Sequence, residues 1–123
     1  MLKLIVFVAL AGATTVPPHR QPVTVGGSPE LDACPSVAAV RFDGDVFLFD
    51  GPADYFPYTK RLKEGSLVYL CSETSGSEWA GVVVLEAAHP GCGVSSPLAN
   101  RVTYDGPCAS GWVRRSALKV VAG

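Results

Sequence analysis

Histidine is scarce in this chain: His19 and His89 are the only two. General-base and nucleophilic catalysis most often recruit histidine, set beside a positioned Ser, Cys or carboxylate. His19 falls in a Pro-rich stretch and His89 in a Pro/Gly loop, and the even cysteine count argues against a free thiol to serve as nucleophile. A Gly-x-Ser-x-Gly elbow and a phosphate-binding glycine loop are both missing. The carboxylate pair Asp43/Asp45 sits in a turn and lacks the other ligands of a calcium loop. A Cys-x-x-Cys pair is missing too, and the cluster His89-Pro90-Gly91-Cys92 falls short of a zinc site. No enzyme, metal or cofactor is expected. Long apolar runs are also wanting. The longest, residues 4–10, is far below the roughly 20 residues that span a bilayer, so the protein is not expected to be membrane-embedded.

A charge excess is lacking as well. The net charge is −1, which argues against broad attraction to nucleic acid or anionic membranes. Basic residues gather only locally, at Lys60-Arg61-Lys63 and Arg114-Arg115.

What is present points to export. Met1-Leu2-Lys3, an apolar run and the small residues Ala11-Gly12-Ala13 follow the order of a secretory signal peptide, with cleavage expected after Ala13. Ala13 stands where a lipoprotein signal needs Cys, so a soluble periplasmic or extracellular product is expected. Cleavage removes Lys3 and no acid, leaving 9 Lys and Arg against 11 acids, a net charge of −2. Four cysteines remain, Cys34, Cys71, Cys92 and Cys108, an even number that suggests two disulfides in a small exported chain. Three connectivities are open.

Residues 14–33 hold Pro17-Pro18, Pro22, Gly26-Gly27 and Pro29, with few large apolar side chains. They are expected to form a flexible leader without fixed contacts, because so little burial cannot offset the entropy of ordering. The domain is expected over residues 34–123. Short β-prone runs cover 37–42, 46–49, 67–71, 79–85, 101–104, 111–114 and 118–121, separated by turn residues such as Asp43-Gly44-Asp45 and Glu64-Gly65. Residues 115–117 allow one helical turn. Val82-Val83-Val84 implies a strand buried on both faces. No sustained helical period occurs. The pattern predicts an all-β fold, a small barrel or sandwich.

Three stretches resemble the bacterial SH3-like domain family. Phe47-Leu48-Phe49-Asp50-Gly51-Pro52-Ala53-Asp54-Tyr55-Phe56-Pro57 is similar to the family's opening strand and Gly-Pro loop with its following Tyr-Pro pair. Leu62-Lys63-Glu64-Gly65-Ser66-Leu67-Val68 resembles its Leu-x-x-Gly turn. Gly111-Trp112-Val113-Arg114-Arg115-Ser116-Ala117-Leu118 resembles its closing strand and short helical turn, and Trp79 stands where a middle strand often opens with Trp. Asp50 departs from the family's loop, and residues 86–110 are a long insertion.

The resemblance implies a small SH3-like barrel that binds a cell-envelope ligand, such as peptidoglycan peptide, without catalysis. Tyr55 and Tyr58 are the expected contacts, with Lys60 and Arg61 assisting if the ligand is acidic. Trp79 and Trp112 are expected in the core. The alternative is a module that grips an envelope protein through a disulfide-closed loop, 91–108. Because Cys92 and Cys108 bracket the insertion, the favoured pairing is Cys92–Cys108 with Cys34–Cys71. The two other pairings stay open if the loop folds back over the sheet.

Overall fold

The computed structural model describes residues 19–86 and 91–123. The expected signal segment, residues 14–18 of the expected leader and His89 lie outside them. Among the described residues eleven strands run in chain order: β1 (Thr24–Val25), β2 (Ser28–Asp32), β3 (Ser36–Val40), β4 (Val46–Phe49), β5 (Tyr58–Leu62), β6 (Leu67–Glu73), β7 (Trp79–Val84), β8 (Pro97–Leu98), β9 (Val102–Thr103), β10 (Ser110–Arg114) and β11 (Leu118–Ala122). A 3-10 turn, Arg115–Ala117, joins the last two. The expected all-β class is what forms. Among the described residues no helix is long and apolar enough to cross a membrane.

Seven strands make one antiparallel sheet in the order β11-β3-β6-β7-β10-β4-β5. Alternate residues send Val40, Val46, Leu48, Leu62, Val68, Val82, Val113 and Leu118 into one inner core. Leu62 of the last strand in that order shares this core with Val40 and Leu118 at the other end, so the sheet curls around it. Register shifts between Leu48 and Phe49 and between Leu70 and Ser72 sharpen that curl. Gly111 permits a close approach of β10 to β4. A Cβ there would come within 2.7 Å of both the Leu48 side chain and the Phe49 carbonyl.

The expected small barrel is not closed. No ladder joins β5 to β11, and the sheet remains open at both. Curling brings the two ends to one core without bringing their backbones into register.

The expected flexible leader is corrected more sharply. Residues 19–33 are part of the fold. β1 pairs with β9 (Val25 opposite Val102) and β2 pairs with β8 (Ser28 opposite Leu98). The Gly26-Gly27 pair turns the chain between β1 and β2 with φ of 85° and 106°, values that glycine adopts freely. The N-terminal segment and the insertion therefore build a second layer together. That layer covers the outer face of β6, β7 and β10. Val23, Val25, Val94, Trp79, Val83 and Trp112 are buried between layer and sheet, together with all four cysteines. Arg101 clamps the assembly. Its guanidinium donates to Thr24 Oγ1 (2.9 Å), the Gly26 carbonyl (3.1 Å) and the Cys71 carbonyl (3.4 Å).

The disulfides are Cys34–Cys71 and Cys92–Cys108, the favoured pairing. The first ties the end of the N-terminal segment to β6, and the second closes the insertion. Their sequence separations of 37 and 16 correspond to about 4 and about 3 kcal/mol of lost unfolded-chain freedom in the loop-entropy picture. Tyr104 fills the smaller loop: its hydroxyl donates to the Cys92 carbonyl (2.8 Å) and accepts from the Cys108 N–H (3.2 Å).

Burial raises the Tyr104 pKa, the hydrogen bond from Cys108 opposes this, and the carboxylates of Asp105 and Glu86 add to the rise. A phenol that holds its proton more tightly in the folded state than in the unfolded state stabilises fully below the ordinary value of about 10. That contribution is lost as pH rises through the higher folded value, because the unfolded chain ionises first. Absorbance titration of wild type and Tyr104→Phe should therefore differ by one phenol that ionises above pH ~10. A difference step at or below that pH would show that Tyr104 is not enclosed.

Candidate functional site

Among the described residues, the cover stops short of β4 and β5. In β4, Val46 and Leu48 point inward, so Phe47 and Phe49 must point outward. There they are half-buried and meet Tyr58 from β5. Ring centroids lie 4.3 Å apart for Phe47 and Tyr58 and 6.2 Å apart for Phe49 and Tyr58. Phe49 meets Trp79 edge-on at 5.4 Å, which ties the exposed rings to a buried one. Such tilted and edge-on contacts suit the ring quadrupole and hold the rings in place. The result is a fixed aromatic platform on the uncovered part of the outer face.

Arginines stand at both ends. Arg61, opposite Phe47 in the β4–β5 ladder, places its guanidinium 5.9 Å from the Phe47 ring and 3.5 Å from Asp45. Arg114 lies 4.7 Å over Trp79 and binds Glu78 (3.1 Å) and Asp54 (3.2 Å). Two concavities meet at Arg114. One, of about 230 Å³, runs between Phe42, Phe47, Phe49 and the turn at Ser116–Ala117. The other, of about 460 Å³, is bounded by Asp54, Tyr55, Glu78 and Trp79.

The four residues expected to bind ligand are thus divided. Tyr58 and Arg61 belong to the platform. Lys60 lies on the opposite side of β5, opposite Leu48, and its ammonium is held by Glu86 at 2.8 Å. Tyr55 is 71% exposed, stacks on Phe56 at 4.8 Å and borders the second concavity. Trp79 and Trp112 are buried, as expected. Sequence reasoning passed over Phe47 and Phe49 as contact residues. The signal was present in the alternation Val46-Phe47-Leu48-Phe49, which places two aromatics on the face away from the core.

Among the described residues no group of three or more His, Cys, Asp or Glu side chains converges as metal ligands. All four cysteines are in disulfides. Comparison with known protein families, characterised proteins and solved structures gave no match.

The platform and the core are separable by mutation because they use opposite faces of the β4–β5 pair. Leu48 is fully buried, whereas Tyr58 is 58% exposed. In urea denaturation Leu48→Ala should cost about 2–5 kcal/mol, and Tyr58→Ala about 1 kcal/mol or less. A loss at Tyr58 as large as that at Leu48 would make the platform part of the core.

Proposed function

We propose that the protein is a secreted, non-catalytic binding module of the SH3-like kind, and that it holds a cell-envelope ligand such as peptidoglycan peptide on the Phe47–Phe49–Tyr58 platform. One observation carries this reading. Among the described residues, the outer face of the sheet is covered by a second layer up to the aromatic rings, and Tyr58 beyond it is exposed. Disulfides at all four cysteines support an oxidising compartment. The rings offer flat apolar contact with little side-chain entropy left to lose. Arg61 supplies the polar part. Its pairing with Asp45 is long and both side chains are more than half exposed, so it is weak. A ligand carboxylate can take Asp45's place.

The alternative module, which grips an envelope protein through loop 91–108, has less support. Cys92, Val94 and Cys108 turn toward the sheet and are buried there. The loop commits these three side chains to the fold and leaves Leu98 and Val102 exposed.

Cosedimentation with purified cell-wall sacculi tests the reading. Wild type should be retained, and Phe47→Ala/Tyr58→Ala should bind at least about tenfold more weakly, the equivalent of roughly 1.4 kcal/mol. Circular dichroism should show the double variant still folded. Absence of wild-type retention would remove the envelope-ligand reading, and full retention of the folded double variant would move the site elsewhere.

A further inference from the structure

The groove of about 230 Å³ beside the platform is lined by three phenylalanines, Phe42, Phe47 and Phe49. Phe47 and Phe49 belong to β4, whereas Phe42 comes from the turn that precedes it. Phe42 is 54% exposed, yet its ring has a seat. It lies over Gly44, where a Cβ would come within 2.8 Å of the ring. The absence of a side chain at Gly44 lets the ring rest on Asp43-Gly44-Asp45 and act as a wall.

Two charged side chains line the same groove, Asp45 and Arg114, and they are unequally committed. Arg114 is held by Glu78 at 3.1 Å and Asp54 at 3.2 Å, and it lies 4.7 Å over the Trp79 ring. Asp45 has one ion pair, with Arg61 at 3.5 Å, and the two side chains are 59% and 65% exposed. Such a pair contributes little and exchanges readily. With Asp43 from the same turn, four carboxylates (Asp43, Asp45, Asp54, Glu78) surround the groove against two arginines, an excess of two negative charges.

Aromatic walls, a loosely held carboxylate and excess negative charge together select a cation. Arg61 shows that one fits here, since its guanidinium lies 5.9 Å from the Phe47 ring centroid while paired with Asp45. A positive charge beside a ring face and a carboxylate is favoured by both. A carboxylate entering the groove would meet the negative excess and would reach Arg114 only by displacing Asp54 or Glu78.

Resting on the platform as a ligand site, we propose that the groove takes a primary alkylammonium chain, with its methylenes between Phe42 and Phe47–Phe49 and its ammonium on Asp45. Asp45 then leaves Arg61, whose guanidinium is free for a carboxylate of the same ligand.

NMR titration with n-butylammonium and with its neutral counterpart n-butanol tests the proposal. Butylammonium should shift the Phe42, Asp45 and Phe47 amides saturably, and butanol should bind at least about tenfold more weakly, the loss expected for one charged hydrogen bond. Asp45→Asn should remove that preference, and Phe42→Ala should weaken both probes. Both side chains are exposed, and circular dichroism should show both variants folded. Absence of a saturable shift, equal binding of the two probes, or a preference that survives Asp45→Asn would overturn the proposal. Sacculi with acetylated amines separate the sources of the cation. Lost retention places the alkylammonium on the envelope ligand, and unchanged retention beside an Asp45-dependent preference assigns the groove to a small soluble amine. An Asp45-dependent preference in a protein that untreated sacculi do not retain would count against the envelope ligand alone.

Discussion

A sheet whose central strands are apolar on both faces cannot leave either face in water, and this constraint organises the molecule. All six residues of β7 are buried: Ala80, Val82 and Val84 toward the inner core, Trp79 and Val83 toward the outside. Curling covers the inner face. The outer face needs a second layer, and it is supplied by two stretches of chain with few large apolar residues. Each is too short and too polar to fold alone. Paired through β1–β9 and β2–β8, they satisfy one another's backbone and bury a few well-placed valines on the two tryptophans. The disulfides make the pairing persistent, because each ties a part of the cover to itself or to the sheet.

The extent of this cover defines the candidate site. Among the described residues its last hydrogen-bonded anchor is Gln21, beside Asp50 and Trp112, and Phe49, Phe47 and Tyr58 lie next on the outer face. The platform is thus the remainder of a face that is elsewhere a core. That origin explains why its rings are held rigidly from beneath, through the Phe49–Trp79 contact, while Tyr58 stays open to solvent. Arg114, stacked on Trp79 and bound to Asp54 and Glu78, separates the platform's groove from the concavity beside Tyr55.

Much of the sheet was legible in the sequence because its signals are local. Alternation in residues 46–49, the triple valine of β7 and the turn residues between strands each act over a few positions, and the burial of Trp79 and Trp112 follows from size. The disulfide pairing was legible from where the cysteines bracket the insertion. The ordered residues 19–33 were not, because their stability comes from a partner some eighty residues away, as Thr24 opposite Thr103 shows. Composition measures what a segment can bury by itself and is blind to such a pairing. The same limit explains the barrel. Whether β5 meets β11 depends on accumulated curl, a property of the whole sheet. Lys60 was grouped with Arg61 by proximity in sequence, although period-two alternation places them on opposite faces.

The central claim is that residues 19–34 and 91–108 form one cooperative layer over the sheet. Native-state hydrogen exchange, followed by mass spectrometry with and without a mild thiol reductant, tests it most directly. In the oxidised protein both segments should be protected. On reduction they should lose protection together, while β3, β6 and β10 exchange more slowly, as expected for a sheet whose inner core remains. Rapid exchange of residues 19–34 in the oxidised protein, or independent opening of the two segments, would contradict it.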